Sequence, residues 1–599
     1  MTTATLQITE PKDRLFLLAT CLIVLMCIAR VAVRDLGADA VFSSADNDDV
    51  MRLLSTRSWL TGQSWFDMTQ YGVLPPEGVS LHWTRYIDLG LGGLVALFGL
   101  FVPPSTAELW AVIVWPVLLL GALIVVTGYG TRRLVSPMAG IIAMFMIFVW
   151  APISLGYFRP GRVDHHNVQI LLLTIATFAA LWPTAPTRSG VIVGAAAALS
   201  VTTGLETVFF LVGLGLLLVV QAAWNRDGAR ARLTAFSLSV AVGSTVLHLG
   251  QTTPSQWLHA MCDKLSVPYL LVIWIGALAA LSFWALPARF RQPMPILCTT
   301  GGIAALGVLA AFPMLGPCLA DPYSHLPQDV QALIAGNVIE ALPLTAFAER
   351  YPLDALHRFQ LPFAVLLLAA VFLLLEDRTR PAKVARAVGP LLFLALIGAM
   401  ASFLQIRQAV LLAPMVPALA GYALAQPFEL RAEGRDRLAN FGLIGATLLV
   451  VLPIAAGERI VRALQSASDS AAIAEGEDAN CALPSLLAGL DRLPSARVLS
   501  SINLGPKLAA FSHHAALTAP YHRSAEALAN GFFPFRGDAA GLHSWAQEIS
   551  ADYVLVCEGS AYGDGAGTTL ASGEQVAGFE RIELGVEPLM LFAVVSDAE

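Results

Sequence analysis

Apolar runs of about 17 to 21 residues recur along the first three quarters of the sequence, and Arg-rich or Pro-rich stretches separate them. A helix of about 20 apolar residues is long enough to cross the hydrocarbon core of a bilayer. The pattern predicts a polytopic α-helical membrane protein with about thirteen crossings, at 15–33, 107–127, 138–158, 165–182, 190–203, 205–222, 233–250, 267–287, 294–313, 359–376, 388–404, 409–425 and 438–455. The run 89–102 is short, Gly-rich and followed by two prolines, which predicts a partial or interfacial helix.

The basic residues of the connections predict how these helices are oriented. Lys and Arg concentrate in the cytoplasmic connections of membrane proteins. The first run follows Lys12 and Arg14 and lacks a small-residue cleavage site, which indicates a retained helix and not a signal peptide. With a cytoplasmic N-terminus, thirteen crossings place all the Arg-rich connections inside, at 132–133, 226–232, 289–291, 378–386 and 431–437. We therefore expect the C-terminus on the outer side.

Composition agrees with this assignment and limits the partners. The 599 residues are 56% hydrophobic and 13% charged, with a mean hydropathy of +0.68. These values lie outside those of an ordinary soluble domain. The formal net charge of -7 leaves no basic surface for nucleic acid, so we expect membrane lipid around the chain and no nucleic-acid partner.

The last part of the chain, 457–599, is predicted to be a soluble α/β domain that follows the transmembrane domain of 1–456. Segments 497–502 and 551–556 have the pattern of short strands, and 539–549 has the pattern of a helix. About 140 residues are enough for an independent core. The seven cysteines show no CxxC spacing of a metal site, and the two in this domain, Cys481 and Cys557, either pair or remain free thiols.

Two polar clusters lie on the predicted outer side. The first outer loop, about 34–88, carries three aspartates within the segment 46–49, and the segment Asp164-His165-His166 begins a later helix. Charged residues beside a membrane are costly without a partner, and carboxylate and imidazole groups are ligands for a divalent ion. The alternatives are a solvated loop or helix cap for the first cluster, and an N-cap followed by two interfacial histidines for the second.

Other polar residues have weaker support as site residues. Trp83 and Tyr86 suit sugar stacking, but such residues also mark membrane interfaces. Glu206 lies at a predicted helix start, where capping accounts for it. In the tail, 513–514 and 521–523 could contact an acceptor or a phosphate, or be ordinary surface loops.

These features together resemble the GT-C class of membrane glycosyltransferases, and within it the catalytic subunit of oligosaccharyltransferase and its single-subunit bacterial and archaeal relatives. Asp46 and Arg52 resemble the family's first-loop motif, a metal-binding Asp followed six residues later by Arg. The segment 164–166 resembles its second-loop motif, Asp-x-Asp, Asp-x-Glu or Asp-x-His. About thirteen helices followed by an outward soluble domain is also the family's layout.

Two further matches lie later in the chain. In the second outer loop, about 315–358, the segment ending at Glu340 resembles the family's Thr/Ser-Ile/Val-x-Glu element, although Asn337 departs from it at the first position. Arg407 stands where the family has an Arg for the lipid-linked phosphate. A departure is that the tail has no Trp-Trp-Asp-Tyr-Gly motif, since its only Trp is Trp545. Transfer to asparagine of a protein is therefore not expected from the motif.

The resemblance implies a metal-dependent glycosyltransferase of a bacterial-type inner (plasma) membrane, which uses a polyprenyl-phosphate or -diphosphate sugar donor on the outer face. Departure of the anionic lipid phosphate would be stabilised by Mg²⁺ or Mn²⁺ and a fixed Arg. The selected residues are Asp46 and Glu340 as catalytic groups, Asp46, Asp164 and His166 as metal ligands, and Arg407, Arg52 and Trp83 as substrate contacts. The acceptor is an unknown glycan, lipid or protein.

Two other functions fit the same sequence. A transporter or flippase of lipid-linked sugars would carry ionisable residues near the bilayer midplane, often in matched halves. Here the carboxylates gather at one predicted face, and no half-to-half symmetry is visible. An O-antigen-type polymerase or ligase would share the donor and the membrane side, but would normally depend on Arg and His more than on acidic loops.

Overall fold

The protein is described by a computed structural model that covers 11–32, 35–43, 45–150, 155–224, 228–287, 290, 292–320, 323, 326–375, 382–451 and 481–595. A helix occupies every predicted crossing. The helices up to residue 451 are α1 (Pro11–Ala32), α2 (Ala38–Ser43), α3 (Asn47–Leu60), α4 (Arg85–Phe98), α5 (Pro104–Leu134), α6 (Pro137–Val149), α7 (His166–Ala180), α8 (Pro186–Thr203), α9 (Val208–Ala223), α10 (Ala229–Gln251), α11 (Val267–Ala285), α12 (Pro293–Ala320), α13 (Gln328–Asn337), α14 (Leu344–Arg350), α15 (Pro352–Leu375), α16 (Ala382–Leu404), α17 (Val416–Ala432) and α18 (Asp436–Ala446).

Eight of the described helices are long and apolar enough to cross a membrane, which makes the chain a multi-pass membrane protein. They lie at Asp13–Ala32, Pro104–Leu134, Leu205–Ala223, Ala229–Gln251, Val267–Ala285, Pro293–Leu319, Pro352–Leu375 and Arg386–Leu404. A ninth is formed if the short helix Ile406–Leu412 and α17, which are bent by 55°, count as one span. α6 and α7 are shorter apolar helices, and α4, with 14 residues, is not among the spans, as its sequence predicts.

Proline and small residues explain where several helices begin and how they pack. Pro137 opens α6, and the Ser136 side chain accepts a hydrogen bond from the Ala139 amide as its N-cap. α8 and α10 pack closely at Gly194, which has no Cβ. A Cβ added there would come within 2.6 Å of the Phe236 carbonyl oxygen. Small residues at such contacts let two backbones approach within a membrane.

The tail forms a five-stranded sheet with helices packed around it. The strands of the protein are β1 (Thr69–Gln70), β2 (Val79–Ser80), β3 (Arg497–Ser500), β4 (Ala515–Ala516), β5 (Tyr553–Cys557), β6 (Phe579–Ile582) and β7 (Leu589–Val594). The sheet order is β4-β3-β5-β7-β6, with β4 and β5 parallel to β3 and β7 antiparallel to β5 and β6. The helices of the tail are α19 (Pro484–Ala488), α20 (Gly505–Phe511), α21 (Ala525–Asn530), α22 (Phe533–Arg536), α23 (Ala539–Glu548) and α24 (Ala566–Ala571).

The tail does not have the independent core that its length suggested. Residues of the first outer loop, among them Val73 and Leu81, are buried in the same hydrophobic cluster as the strands of the sheet. The Leu74 amide donates to the Ala516 carbonyl at 2.8 Å, and the Ala516 amide donates to the Gly72 carbonyl at 3.0 Å. The first loop therefore extends the edge of the sheet at β4, and both segments fold against each other.

Some predicted features lie partly or wholly outside the described residues. They are the end of the predicted helices 15–33 and 438–455, residues 151–154 of the predicted helix 138–158, part of the basic connections, and the proposed domain boundary near 457. Cys481 and Cys557 form a disulfide, so the pairing left open by the sequence is settled. A second disulfide, Cys262 to Cys318, joins the loop after α10 to the end of α12 and was not expected.

Candidate active site

The first-loop aspartates form the N-terminal end of α3. Asp46 is the N-cap: its side chain accepts the Asp49 amide at 3.0 Å, and the Asp49 carboxylate accepts the Asp46 amide at 3.0 Å. This reciprocal arrangement is a capping box built from two aspartates. The other Asp46 oxygen pairs with Arg162 at 2.6 Å, and 44% of the Asp46 side chain stays exposed. Asp46 is thus held in place while its carboxylate still faces solvent.

Asp49 joins the two polar loops. Its Oδ1 accepts the backbone amides of Val163 and Asp164 at 2.7 and 2.9 Å, and its Oδ2 lies 3.2 Å from Arg162 Nε. The side chain has no exposed surface. Because both oxygens are used by backbone amides and a guanidinium, Asp49 fixes the second loop against α3 and is not open to a substrate.

The segment before α7 brings a carboxylate and two imidazoles together. Asp164 Oδ1 lies 2.6 Å from His165 Nδ1, and Asp164 Oδ2 lies 3.5 Å from His166 Nε2. One ligand atom from each of the three side chains falls within 4.8 Å of the others. Asp164 Oδ2 and His166 Nδ1 are buried and have no hydrogen-bond partner among the described residues. Such orphaned ligand atoms fit a divalent cation bound beside Asp164.

Burial and neighbouring charges shift the pKa values of the acidic groups in this cluster. Burial would raise the pKa of Asp164, but the imidazoles of His165 and His166 outweigh it and hold that pKa below its usual range. Burial, followed by the charges of Asp164 and Asp46, raises the pKa of Asp48 well above its usual range. Asp48 therefore lies close enough to Asp164 for the two charges to interact, but the ligand atoms that fall within 4.8 Å of one another are those of Asp164, His165 and His166.

Glu206 belongs to this site, although the sequence favoured a helix cap. Its Oε1 lies 3.5 Å from His165 Nε2, and its Oε2 accepts a hydrogen bond from Gln169 at 3.3 Å. The predicted cap is wrong because Glu206 sits in a short 3-10 turn before α9 and makes no cap hydrogen bond. Arg407 is close enough to Glu206 to stabilise its negative charge. His165 is therefore held between two carboxylates, and Glu206 connects it to Arg407.

Glu340 and Arg407 lie on neighbouring segments. The Ile406 amide donates to the Leu342 carbonyl at 2.9 Å, which holds the two 3-10 segments Ile339–Ala341 and Ile406–Leu412 together. Glu340 is exposed, and its charge acts on Asp48. Arg407 Nε donates to the Gln405 side chain at 3.0 Å. The structure thus brings these two predicted residues to the edge of the acidic cluster.

Arg52 and Trp83 differ from the expected substrate contacts. Arg52 has no exposed surface, and it donates to the Asp88 carboxylate at 3.1 Å and the Thr84 carbonyl at 3.2 Å. Trp83 is 3% exposed and stacks on the Arg52 guanidinium at 4.2 Å. The prediction that both bind substrate is wrong in this structure because both side chains are packed in the interior. Arg52 instead lies behind the site, with Nη2 3.8 Å from Asp164 Oδ1.

The tail covers the acidic end of α3. The Tyr521 hydroxyl donates to the Asn47 carbonyl at 3.2 Å, and burial together with the charge of Asp48 raises the pKa of Tyr521. The Asn47 side chain also donates to Asn503 at 2.9 Å. One of the two tail segments that the sequence singled out, 521–523, therefore reaches the site.

Several residues of the site were missed by sequence reasoning. Asp48, Asp49 and His165 lie within the two motifs, and Arg162 lies two residues before the second one. Spacing does not reveal which side chain in a run of polar residues turns inward. Gly161 gives a signal in retrospect: its φ is +90°, and a Cβ there would come within 2.7 Å of the Val41 carbonyl. Only glycine fits that turn, which places Arg162 against the first loop.

Comparison with solved structures identifies the fold. The archaeal oligosaccharyltransferase AglB from Archaeoglobus fulgidus, in complex with an inhibitory peptide and a dolichol-phosphate, matches with a TM-score of 0.65 at 15% identity, over 91% of this chain and 70% of that chain. The chain has the oligosaccharyltransferase fold. The apo form of the A. fulgidus enzyme matches with a TM-score of 0.62 at 16% identity, over 90% of this chain and 69% of that chain.

A third structure of the same archaeal oligosaccharyltransferase, in complex with Zn and sulfate, matches with a TM-score of 0.59 at 15% identity, over 96% of this chain and 73% of that chain. No protein-family model matches the sequence, and no curated protein sequence matches it significantly. The GT-C architecture expected from the motifs is thus confirmed as an oligosaccharyltransferase fold. Identities this low establish the fold, and the site residues carry the activity.

Proposed function

We propose that the protein is a glycosyltransferase that moves a sugar or oligosaccharide from a polyprenyl-phosphate or -diphosphate donor to an acceptor. The observation that carries the proposal is the buried Asp164, whose Oδ2 has no hydrogen-bond partner among the described residues and faces His166 within an oligosaccharyltransferase fold. Asp164 Oδ1 is already paired with His165, which leaves Oδ2 as the ligand atom that a divalent cation would take.

Asp164 and His166 would hold Mg²⁺ or Mn²⁺ together with Asp46, as the motif spacing implies, and the charge of Asp48 interacts with that of Asp164. The Asp46 oxygens accept from the Asp49 amide and Arg162, but each carboxylate oxygen has a second lone pair available. The ion would supply charge stabilisation to the departing phosphate. Oxygen-rich ligands with one imidazole and no thiolate suit these two metals.

In the proposed reaction, an acceptor hydroxyl or amide attacks the anomeric carbon of the donor sugar. The bond from that carbon to the lipid phosphate oxygen breaks, and its electron pair leaves with the lipid phosphate. The acceptor loses a proton, which the half-exposed Asp46 carboxylate would receive as general base. Glu340, exposed at the edge of the cluster, would orient the acceptor.

Arg407 would bind the lipid phosphate. It lies at the start of a bent helix pair, beside Glu206, and its side chain is partly exposed. A fixed guanidinium suits a phosphate because it offers several donors in a planar arrangement. Arg52 takes no part in this contact; it stabilises Asp164 from behind.

The proposal includes an orientation in the membrane. The outer loops, the Asp164 cluster and the tail lie together on one side of the helix bundle, with the tail contacting α3 directly. The positive-inside rule assigns this side to the exterior of a bacterial-type inner membrane. The acceptor is a glycan, a lipid or a protein, and the missing Trp-Trp-Asp-Tyr-Gly motif argues against an Asn-x-Ser/Thr acceptor.

The test is incubation of the purified protein in detergent with extracted lipid-linked sugars and candidate acceptors. We expect consumption of the donor with appearance of a glycosylated acceptor, and loss of both in Asp164→Asn. A transporter or flippase would leave the donor chemically unchanged. Intact donor, in conditions where the protein is folded and lipid-linked sugar binds, would overturn the proposal.

A further inference from the structure

A second cluster of ligand-type side chains lies beside the Asp164 site and shares no residue with it. His82 follows the β1-β2 hairpin, Asp263 lies in the loop between α10 and α11, and His522 comes from the tail. One ligand atom of each falls within 4.8 Å of the others. The His82 and His522 rings are 4.9 Å apart, and His522 Nε2 lies 3.0 Å from Asp263 Oδ2. Three distant segments of the chain thus meet at this point.

An ion pair accounts for only part of this cluster. Arg523 binds Asp263 through Nε to Oδ2 at 2.6 Å and through Nη2 to Oδ1 at 2.8 Å. That pairing needs neither histidine. No hydrogen bond to the His82 ring occurs within the described part of the chain, although the ring is partly buried.

A third group of similar composition shows the contrast. Asp491, His513 and His514 also have ligand atoms within 4.8 Å of one another. There His513 Nε2 donates to the Leu493 carbonyl at 2.8 Å, and His514 Nε2 donates to the Leu490 carbonyl at 3.0 Å. These rings are used by the backbone, and two of the three side chains are exposed. That group is an ordinary surface arrangement and serves as a control.

We propose that His82, Asp263 and His522 bind a transition-metal ion of the zinc type. Two imidazoles and one carboxylate are a common ligand set for zinc, and they leave a fourth position for water or another ligand. Arg523 would remain hydrogen-bonded to the second oxygen of Asp263, as partners of metal-bound carboxylates often do. The inference does not depend on the proposed transfer reaction, since it concerns different residues and a different ion.

The position of this site indicates that the ion would have a structural role. Residues next to two of the ligands contact the surroundings of the Asp164 site. Trp83, which follows His82, stacks on Arg52, and Tyr521, which precedes His522, contacts the start of α3. Cys262, next to Asp263, is joined to Cys318 by a disulfide. The ion would therefore fasten the tail to the outer loops and keep Tyr521 over the acidic cluster.

The test uses the full-length protein in detergent, freed of metal and titrated with Co²⁺, whose visible absorption reports tetrahedral coordination, and then with Zn²⁺ in competition. We expect one tightly bound Co²⁺ that Zn²⁺ displaces, and a loss of affinity of about a hundredfold or more in His82→Gln and in His522→Gln. His513→Gln, and the double variant Asp164→Asn/His166→Gln, should bind as the wild type does.

Unchanged Co²⁺ affinity in His82→Gln, or loss of the signal in the Asp164 double variant alone, would overturn the proposal. So would a wild-type protein with no tight site. If either histidine variant elutes as an aggregate, X-ray absorption of Co²⁺ bound to the Asp164 double variant reads the ligands directly. Two imidazoles are expected there, and a spectrum with none would contradict the site. Donor consumption in the same samples tests the transfer reaction separately.

Discussion

At the scale of single residues, the three aspartates of the first loop have different tasks. The spacing of Asp46 and Arg52 correctly directed attention to the start of α3, but not to the roles of the neighbours. Asp49 is fully buried and holds the second loop, whereas the charge of Asp48 interacts with that of Asp164. The sequence of a polar run at a helix start does not distinguish a capping residue from a buried residue that fixes a loop or from a metal ligand. Only the packing of Gly161 and Arg162 against the helix does so.

Replacing each aspartate with asparagine should separate these roles. Asp46→Asn is expected to lower turnover about a hundredfold or more, a loss of about 2.7 kcal/mol of transition-state stabilisation. Asp48→Asn should lower it about tenfold, because it removes a charge that interacts with that of Asp164. Both variants should unfold at the wild-type temperature. Turnover at matched expression checks this, and an active Asp46→Asn beside an inactive Asp48→Asn would move the ligand and base to Asp48.

Asp49→Asn is expected to act on folding. The amide keeps one acceptor oxygen but loses the charge that pairs with Arg162, and its NH2 group faces backbone amides that need an acceptor. We expect a loss of about 1 to 3 kcal/mol in the free energy of unfolding. Thermal unfolding in detergent measures it, and a fully stable but inactive variant would show that Asp49 is part of the chemistry after all.

At the scale of elements, a buried charge network joins α3 to α4. The Asp88 carboxylate pairs with Arg52 at 3.1 Å and with Arg85 at 2.9 Å, and it accepts a hydrogen bond from the Ser55 hydroxyl at 2.8 Å. None of the three charged side chains is exposed. The sequence predicted a partial or interfacial helix at 89–102, and the structure has a short helix there that begins at Arg85 and ends at Phe98. It could not predict that two arginines would be turned inward, because the partner that neutralises them lies 36 residues from Arg52.

Removing the shared carboxylate should therefore destabilise the protein strongly. Asp88→Asn removes the carboxylate that two buried guanidinium groups share and leaves Arg52 only Asp164, 3.8 Å away. We expect a loss of about 3 to 5 kcal/mol in stability. Glu108→Gln is the matched control, because Glu108 pairs with Arg57 in a partly exposed position, with side chains 20% and 32% exposed. We expect a cost below about 1 kcal/mol there. Equal unfolding temperatures for the two variants would contradict the structural role of the network.

At the scale of the whole molecule, the helix positions followed from hydrophobicity, because a bilayer imposes length and composition on each crossing. Two of the five strands of the tail sheet followed from the sequence. β3 lies within the predicted segment 497–502, and β5 overlaps the predicted segment 551–556 and ends at Cys557. The shared core between the first loop and the tail did not follow, since nothing local marks a contact across more than 400 positions. Part of the site, through Tyr521, depends on that contact.

The orientation of the whole molecule is tested by reporter fusions after Glu599. With the Arg-rich connections inside, we expect the tail on the outer side of the inner membrane, where the Cys481–Cys557 disulfide would be stable. A periplasmic reporter should be active and a cytoplasmic one inactive. Fusion after Arg133, at the end of α5, is the matched control and should give the opposite pattern. The same pattern at both positions would refute the topology.

The measurement that tests the central claim most directly is donor consumption by metal-free protein as Mg²⁺ or Mn²⁺ is added back, in wild type and in Asp164→Asn. The account predicts no turnover after chelation, saturable recovery in the wild type, and recovery lowered by about a hundredfold or more in the variant. The residual activity of the variant should need higher metal concentrations. Full turnover of the chelated wild-type protein, or equal metal dependence of the two proteins, would contradict a cation held by Asp164.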